Sequence, residues 1–392
     1  MVSSQPSQFD RSERAGRYVR QTAGYRAFIP APLPPDPPIE IDAEMQHWLS
    51  DADRALGRLD GSIQTLPNPD LFVMMYTRKE AVLSSQIEGT QASISDLLKA
   101  EADLSQIRPS RDVSEVRNYI AAMNLGLQRL PALPISIRLI KEIHGRLMQG
   151  ARGYHQQPGE TRRSQNWIGP SGSTILSAIY IPPPHIEAEQ ALGELEKFIH
   201  ASDHLPLLIR IGLIHAQFET IHPFLDGNGR MGRLLITLFL FSKDILQKPV
   251  LYLSHYFKAN QQEYYGRLQR VRDRGDWEGW IKFFLQGVGT VAWQATETAR
   301  KIVALRENHR QLIIDRMGSS CASAIKLIEH LYNTPSTTVN AAKDFLGISY
   351  PNANNLIYKL CENEILFEAT GQSRNRLFFY SPYIDLFSEI GA

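Results

Sequence analysis

Twelve consecutive residues, 222 to 233, place several chemically active side chains close together. They read His-Pro-Phe-Leu-Asp-Gly-Asn-Gly-Arg-Met-Gly-Arg. An imidazole with an unperturbed pKa near ~6.5 is largely neutral at pH 7, so His222 can accept a proton. Asp226 offers the oxygen ligands that Mg²⁺ prefers. The stretch therefore combines a candidate general base with a candidate metal ligand.

The middle of this stretch suits phosphate binding. Gly227, Asn228 and Gly229 can fold so that successive backbone N–H groups converge, because glycine accepts positive φ angles. A helix predicted to begin near residue 229 adds unpaired N–H groups and the positive end of its dipole. Arg230 and Arg233 share a face of that helix near its start, where positive side chains are unfavourable without a negative partner. A polyphosphate is such a partner.

The same glycines match the sequence pattern of a dinucleotide-binding turn. Residues 227 to 232 fit G-x-G-x-x-G, but that turn follows a strand and has an acidic residue about 20 positions later. The pattern predicts a helix before these glycines, and no acid occurs between Asp244 and Glu263. The sequence also lacks a G-x-x-x-x-G-K-[ST] phosphate loop. A Rossmann interpretation is therefore discarded.

The stretch resembles the signature H-P-F-x-D-G-N-G-R-x-x-R of the Fic (Fido) family, and every fixed position is met. The similarity extends to an arm ending at residues 33–35, a helix ending at 84–89, a β-rich segment and Tyr264-Tyr265. These are arranged as in bacterial Fic proteins with an N-terminal inhibitory helix and a C-terminal winged helix. The resemblance implies a helical Fic core with a small β-hairpin flap, and transfer of AMP from ATP to a protein hydroxyl.

The resemblance also implies a role for each residue of the stretch. His222 would deprotonate the target hydroxyl, and Asp226 would bind the Mg²⁺ that bridges the α- and β-phosphates. Asn228 would help to stabilise charge at the α-phosphorus. Tyr265 would line the nucleotide site, although Tyr264 could take its place. The residues expected to bind ATP and its phosphates are Gly227, Asn228, Gly229, Arg230, Met231, Gly232, Arg233 and Tyr265.

A second family motif, [ST]-x-x-x-E-[GN], is met by residues 84 to 89. In the relatives, its glutamate pulls the second signature arginine away from the γ-phosphate; here Ser84 opens the motif and Glu88 would compete for Arg233. A carboxylate and a guanidinium form a charge-assisted contact, so this competition is physically sound. Simpler alternatives stay open: Glu88 could be solvated, His222 could cap a helix, and Asp226 could be a plain turn residue.

Helical periodicity predicts the elements that position these residues. Asn68-Pro69 resembles a helix start and predicts a helix from about 69 to 87. Further helices are predicted over roughly 41–58, 111–129, 136–149, 186–201, 205–221, 229–243, 257–272 and 276–310. The fold class is mainly α. We expect a proline-rich extended arm (1–40), an N-terminal helical region (41–130), the Fic core (131–312) and a winged helix-like domain (318–392).

Residues 174 to 181 are rich in β-forming side chains and precede three prolines, which predicts a small hairpin. Ile175, Ser177 and Ile179 would lie on one side of it. They could fill an edge of the core, but the resemblance favours docking of a target chain by backbone pairing. Arg162 could shape this flap, contact the target or lie on the surface.

The segment 318–392 predicts a winged helix-turn-helix, with helices near 322–332, 338–345 and 351–363 before two short strands. Its five basic and seven acidic residues give a net charge of −2, whereas DNA binding normally needs a basic face. Some polar residues could still form a local reading surface: Asn352, Asn354, Asn355, Lys359, Arg374 and Arg376. Protein docking or homodimerisation is at least as well supported as nucleic-acid binding.

Composition and the distribution of apolar residues and cysteines mainly exclude certain classes of protein and of site. The 392 residues carry a net charge of +1, which indicates no particular partner. The N-terminus lacks a signal-like apolar stretch, and the longest apolar run, Leu234 to Phe241, is far shorter than the ~20 residues of a membrane span. Cys321 and Cys361 are isolated, which excludes a disulfide scaffold and a thiolate zinc site. We expect a cytoplasmic protein with no membrane partner.

The leading interpretation is an ATP- and Mg²⁺-dependent protein adenylyltransferase, held back by Glu88 and acting on a target protein or on itself. One rival is a winged-helix DNA-binding regulator whose Fic core only senses nucleotide. Another is transfer of a different nucleotide such as UMP, or removal of AMP.

Overall fold

The computed structural model describes residues 11–66, 68–101, 110–150, 157–170, 172–202, 204–371 and 376–388. Within those ranges the helices are α1 Ala43–Gln64, α2 Pro69–Ile87, α3 Ile94–Glu101, α4 Arg111–Arg129, α5 Ile137–Leu147, α6 His185–His200, α7 Leu207–Ile221, α8 Asn228–Ser242, α9 Ser254–Ala259, α10 Gln261–Arg274, α11 Trp277–Arg316, α12 Cys321–Leu331, α13 Val339–Leu346, α14 Tyr350–Glu362 and α15 Ser381–Ser388. The strands are β1 Gly16–Arg20, β2 Arg26–Pro30, β3 Ser336–Thr337, β4 Phe367–Glu368 and β5 Phe378–Phe379. The predicted mainly α class is confirmed.

Two buried helices, α7 and α8, form the centre of the core and are joined by the loop 222–227. Thirteen of the fifteen residues of α7 are buried, and α8 is buried along most of its length. The sequence explains this burial, because a helix that is apolar around most of its circumference has no face suited to water. The pair fixes both ends of the loop that carries the predicted active residues.

The longest helix, α11, connects the core to the C-terminal part of the chain. Its 40 residues span about 60 Å at 1.5 Å per residue. Near its start, Trp280 packs in the core and donates its indole N–H to the carbonyl of Gly212 on α7 at 2.8 Å. α1 lies along α11, whereas α12 and α15 pack toward its C-terminal end. No helix in the described ranges combines the length and apolarity that crossing a bilayer would need.

Part of the segment predicted as an extended arm forms a β-hairpin. β1 pairs antiparallel with β2, and Tyr18 lies opposite Phe28. Phe28 is fully buried, and its N–H donates to the carbonyl of Ile181 at 2.9 Å. The prolines that follow dominated the sequence pattern and hid these two short strands. Residues 1–10 of the predicted arm lie outside the described residues.

The predicted flap is mostly irregular. Residues Ile175–Ser177 form a 3₁₀ turn, and one antiparallel bridge joins Ile168 to Tyr180. The Ser177 hydroxyl accepts the N–H of Thr174 at 3.0 Å and closes the turn. This turn breaks strand alternation, so the prediction that residues 175, 177 and 179 share one side of a strand is wrong.

Other differences concern element boundaries. The helix predicted at 257–272 is divided at Asn260 into α9 and α10, and α11 continues past residue 312 to Arg316. The short helices α3 and α15 were not predicted, because eight residues contain too few periodic positions to distinguish a helix from a loop.

The C-terminal part contains three helices, α12 to α14, followed by β4 and β5, in the predicted order. β5 lies between β3 and β4, and both pairings are antiparallel. The predicted two-stranded ribbon therefore has a third strand. The assignment to the winged-helix class stays a prediction, and Arg374 lies outside the described residues.

Candidate active site

His222 ends α7 in a left-handed conformation, with φ 50° and ψ 60°. This conformation is uncommon for a residue with a side chain. Arg162 stabilises it: the guanidinium donates to the carbonyl of His222 at 2.9 Å and to the carbonyl of Pro183. The backbone N–H of Arg162 also donates to the carbonyl of Pro223 at 2.9 Å. Arg162 is 1% exposed, which excludes the surface role that the sequence left open.

The surroundings of His222 keep its imidazole neutral. Burial, together with the positive charges of Arg162 and Arg272, lowers the pKa of His222 to about 4. Its Nδ1 is buried and has no well-aligned hydrogen-bond partner among the described residues. A neutral imidazole can accept a proton, so this environment suits a general base.

Asp226 presents an accessible carboxylate that is 41% exposed. Its Oδ1 accepts the N–H of Gly227 at 2.6 Å, and its carbonyl lies 2.9 Å from Nε2 of His144 on α5. The N–H of Gly159 donates to the other nitrogen of that ring at 3.0 Å, so His144 carries its proton on Nε2 and donates it to Asp226. Burial lowers the pKa of His144 to about 4. This contact was not predicted from the sequence, because His144 and Asp226 lie 82 residues apart.

The side chain of Asn228 is used inside the loop. Its Oδ1 accepts the N–H of Phe224 at 2.9 Å, and its Nδ2 donates to the carbonyl of Phe224 at 2.8 Å. Both polar atoms therefore have partners within the loop, and a role of Asn228 at the α-phosphorus stays a prediction. Phe224 is buried and stacks on His144 with ring centroids 3.7 Å apart, which anchors the loop.

The start of α8 forms an anion cradle. Gly227 has φ 78°, in the left-handed region that glycine favours. At Gly229 an added Cβ would collide with Oε1 of Glu88. The Glu88 carboxylate therefore lies against the first turn of α8, where N–H groups and the helix dipole favour an anion. The Glu88 carboxylate thus occupies the position that favours an anion at the start of α8.

Arg233 is buried and joined to α2 by three hydrogen bonds. Its Nη2 donates to Oε1 of Glu88 at 2.7 Å and to the carbonyl of Ser84 at 3.0 Å, while Nε donates to Oγ of Ser84 at 2.9 Å. Burial alone would raise the pKa of Glu88, but the Arg233 guanidinium holds that pKa below its ordinary value. Glu88 is therefore ion-paired, not merely solvated.

Arg230 points toward α4. Its Nη1 lies 3.3 Å from Oε2 of Glu115, and its Nη2 lies 3.8 Å from Oδ1 of Asp226. These two carboxylates are the negative partners that a cation at a helix start requires. Glu115 is remote in sequence, so its pairing with Arg230 could not be predicted from local spacing.

Met231 and Gly232 do not face the cradle. Met231 is fully buried, and its N–H donates to the carbonyl of Gly227 at 3.0 Å. The carbonyl of Gly232 lies 3.1 Å from Nδ1 of His215, and an added Cβ would collide with Glu219. Both residues therefore contribute to helix packing, and their binding of phosphate stays a prediction.

The two adjacent tyrosines have different environments. Tyr264 is 1% exposed, and its hydroxyl lies 2.9 Å from Nε2 of His215. His215 is a core residue, 2% exposed. Tyr265 is 45% exposed; burial of part of its ring and the charge of Glu88 raise its pKa to about 12. Of the two, Tyr265 is the one placed beside the ion pair and open to a ligand.

Two buried acids near the ion pair were missed. Glu219 on α7 is 6% exposed, its Oε1 lacks a hydrogen-bond partner among the described residues, and burial raises its pKa to about 7. Glu80 on α2 accepts hydrogen bonds from Tyr119 at 3.0 Å and Ser254 at 2.5 Å, and burial raises its pKa to about 7. The available signal was spacing: Glu80 lies four and eight residues before Ser84 and Glu88.

A groove of about 920 Å³ separates the predicted flap from the N-terminal hairpin. Its walls include Tyr18, Arg26, Leu176, Ile179 and Asp273. Leu176 is 74% exposed and Ile179 is 66% exposed, so apolar side chains face solvent here. Ile175 also lines the groove and is half-buried, whereas Leu176, which was not predicted to take part, is more exposed.

The residues present fit a magnesium ion that is shared with a nucleotide. The described ranges contain no group of three or more His, Cys, Asp or Glu side chains that could hold a metal ion alone. Mg²⁺ commonly uses one or two carboxylates together with substrate phosphates and waters. Asp226, accessible beside the anion cradle, supplies one such carboxylate.

Two family models match the chain. The Fic/DOC family N-terminal model matches residues 47–128, and the Fic/DOC family model matches residues 134–240. The first match contains Glu88, and the second contains the whole stretch from His222 to Arg233.

Curated relatives are similar over part of their length. A probable protein adenylyltransferase of Aquifex aeolicus is 24% identical over 178 residues, 45% of this chain and 51% of its own. The protein adenylyltransferase Fic of Drosophila erecta is 29% identical over 177 residues, 42% of this chain and 31% of its own. The chain thus spans about half, or less, of the length of these relatives.

Solved structures share the fold. A Fic family protein from Desulfovibrio desulfuricans G20 superposes with a TM-score of 0.56 at 19% identity, over 88% of this chain and 97% of its own. A Fic domain containing signaling protein from Bacteroides thetaiotaomicron VPI-5482 gives a TM-score of 0.50 at 16% identity, over 66% of this chain and 97% of its own. At these identities the likeness concerns the fold alone.

Proposed function

We propose that this chain, which belongs to the Fic/DOC family, transfers AMP from ATP to a hydroxyl side chain of a protein. The observation that carries the proposal is the arrangement around the loop 222–227: a neutral His222 and an accessible Asp226 flank an anion cradle that two arginines border. The names of the curated relatives agree with this activity.

In the proposed reaction, His222 accepts the proton of the target hydroxyl while the hydroxyl oxygen attacks the α-phosphorus. The bond to the bridging oxygen breaks, and pyrophosphate leaves with that electron pair. Backbone N–H groups at the start of α8, together with Arg230 and Arg233, hold the phosphates in line, since this chemistry depends chiefly on positioning and charge stabilisation. Asp226 would hold Mg²⁺, which would supply further positive charge beside the phosphates.

We further propose that the described arrangement is an inhibited state. The Glu88 carboxylate fills the cradle and binds the same guanidinium edge of Arg233 that a γ-phosphate would need. Ser84 adds two hydrogen bonds to Arg233 and keeps it turned toward α2. ATP can then adopt the productive alignment only after Glu88 has moved away.

The groove between the flap and the hairpin is our proposed docking site for the target. It lies beside Tyr180, whose hydroxyl donates to the carbonyl of Thr220 at 2.5 Å close to the end of α7. A segment held against Leu176 and Ile179 by backbone pairing would not need a particular sequence. The hydroxyl donor can therefore be a Ser, Thr or Tyr of another protein or of this chain.

Labelled ATP tests the activity directly. The chain and its Glu88→Gly variant are incubated with Mg²⁺ and ATP that carries the label on either the α- or the γ-phosphate, and label on protein is followed. Retention from the α position alone supports AMP transfer; retention from the γ position alone shows a kinase and overturns the proposal. Parallel reactions with α-labelled UTP, and with protein that already carries AMP, distinguish transfer of another nucleotide and removal of AMP.

A further inference from the structure

We propose that a second cleft, between α2 and the C-terminal domain, binds a small organic acid with an apolar body and a single carboxylate or phosphate group. The cleft has a volume of about 340 Å³ and lies between α2, the start of α3 and α15. This volume is in the range of sites for small molecules. The cleft is distinct from the anion cradle at the start of α8.

The lining of the cleft combines six apolar residues with seven polar or charged ones. The apolar side chains are Val82, Leu83, Ile94, Phe379, Ile384 and Phe387. The polar ones include the hydroxyl groups of Ser93, Ser95 and Ser381, together with Gln86 and His255. Apolar side chains can hold the body of a ligand, while placed polar groups fix its orientation.

Lys79 supplies the charge that determines the ligand class. It lies on α2, is 9% exposed, and has no hydrogen bond or ion pair among the described residues. Its ammonium lies over the ring of Tyr76, whose centroid is 5.9 Å away. Burial lowers the pKa of Lys79 to about 8, so it remains largely protonated at pH 7. A buried cation without an anion is unfavourable, and an anionic ligand would remove that penalty.

The neighbouring acids do not neutralise Lys79. Glu80 follows it in the helix, and its Oε1 accepts the hydroxyls of Tyr119 and Ser254. Lys79 and Glu80 both line a second, much narrower cavity with His255, so the Lys79 side chain borders both cavities. Asp385 lines the cleft as well, which disfavours a ligand with several negative charges.

Isothermal titration calorimetry of the full chain tests the proposal with four probes: octanoate, octyl phosphate, 1-octanol and inorganic phosphate. We expect octanoate or octyl phosphate to bind, and the tighter of the two identifies the head group. 1-Octanol should bind at least tenfold more weakly, because it lacks the charge. Inorganic phosphate should show no binding, because it lacks the apolar body.

Variants connect binding to the cleft. Lys79→Met keeps the length of the side chain, removes the charge and should weaken binding of the better probe by tenfold or more. Lys79→Arg should stay within threefold of the parent, and the exposed Lys301→Met should leave binding unchanged. Absence of binding by both octanoate and octyl phosphate, or equal binding by Lys79→Met and the parent, overturns the proposal. Calorimetry does not depend on nucleotide transfer, so this test is separate from that of the proposed enzyme activity.

Discussion

His222 and Arg162 illustrate how a single buried cation can prepare a neighbouring residue for chemistry. The Arg162 guanidinium donates to the carbonyl of His222 and so holds the left-handed backbone at the end of α7. Its charge also adds to the effect of burial and lowers the pKa of His222. The same side chain therefore sets both the orientation and the protonation state of the proposed base.

Replacement of the proposed base should affect chemistry more than binding. His222→Ala should lower AMP transfer by ~10² to 10⁴-fold, the usual contribution of a positioned base. Binding of Mg·ATP should hardly change, because the cradle and both arginines remain. Initial rates of label transfer in a Glu88→Gly background, with nucleotide affinity from calorimetry, provide the comparison. Transfer at the parental rate would show that another group accepts the proton.

Arg162 and its neighbour Arg163 form a matched pair for testing the role of the buried guanidinium. A lysine at position 162 cannot reach the carbonyls of both His222 and Pro183, and an unsatisfied buried carbonyl costs about 1–3 kcal/mol. Arg162→Lys should lower the free energy of unfolding by about 2 kcal/mol and reduce transfer. Arg163 is exposed, so Arg163→Lys should leave both within error. Urea unfolding measures the free energy of unfolding of both variants, and label transfer measures their activity. Equal stability of the two variants would contradict a structural role of the Arg162 guanidinium.

At the scale of elements, one face of α2 carries the polar side chains that contact the neighbouring helices. Glu80, Ser84 and Glu88 recur every four residues and face α4, α9 and α8. The end of the helix is also held: Lys258 donates to the side chain of Gln86 at 2.6 Å, and Gln261 donates to the carbonyl of Ile87 at 3.2 Å. The position of Glu88 is therefore set by the packing of the whole helix.

Removal of the competing carboxylate should increase activity. Glu88→Gly empties the cradle and frees Arg233 for the γ-phosphate, so AMP transfer at saturating Mg·ATP should rise. Glu88→Gln, which keeps the size of the side chain without its charge, should give a smaller rise. In the Arg233→Ala background the gain should largely disappear, since groups in direct contact behave non-additively. Unchanged or lower transfer by Glu88→Gly would exclude the inhibitory role.

The sequence predicted the site better than the elements around it. The stretch from His222 to Arg233 is contiguous, so its candidate chemical roles could be inferred directly from the sequence. The contact of Glu88 with Arg233 followed from a family motif. Contacts between distant segments, such as Arg230 with Glu115, leave no local signal. The strand alternation predicted for residues 174–181 was wrong because Ile175–Ser177 form a 3₁₀ turn. The side-chain hydrogen bonds of this turn outweigh the strand propensity of its residues.

At the scale of the whole molecule, the C-terminal domain contacts the region that carries Glu88. Phe387 of α15 packs edge-on against Tyr76 of α2, with ring centroids 5.6 Å apart. Leu98 of α3 is buried in one cluster with Leu377 and Phe379 of the C-terminal domain. The C-terminal part of the chain thus touches both α2 and the helix that follows it, and through α2 it is linked to the contact of Glu88 with Arg233 that we propose to be inhibitory.

The aromatic contact of Phe387 should therefore influence both stability and inhibition. Phe387 is 1% exposed, and truncation of a buried Phe to Ala typically costs about 3–5 kcal/mol. Phe387→Ala removes a side chain that supports α2, so we expect lower stability together with higher AMP transfer, because a less firmly packed α2 releases Glu88 more often.

The control is Phe345→Ala on α13, which is 37% exposed and stacks on His330. Urea unfolding and label transfer should separate the two variants. A loss of stability without a rise in transfer would show that α15 supports the fold but not the position of Glu88.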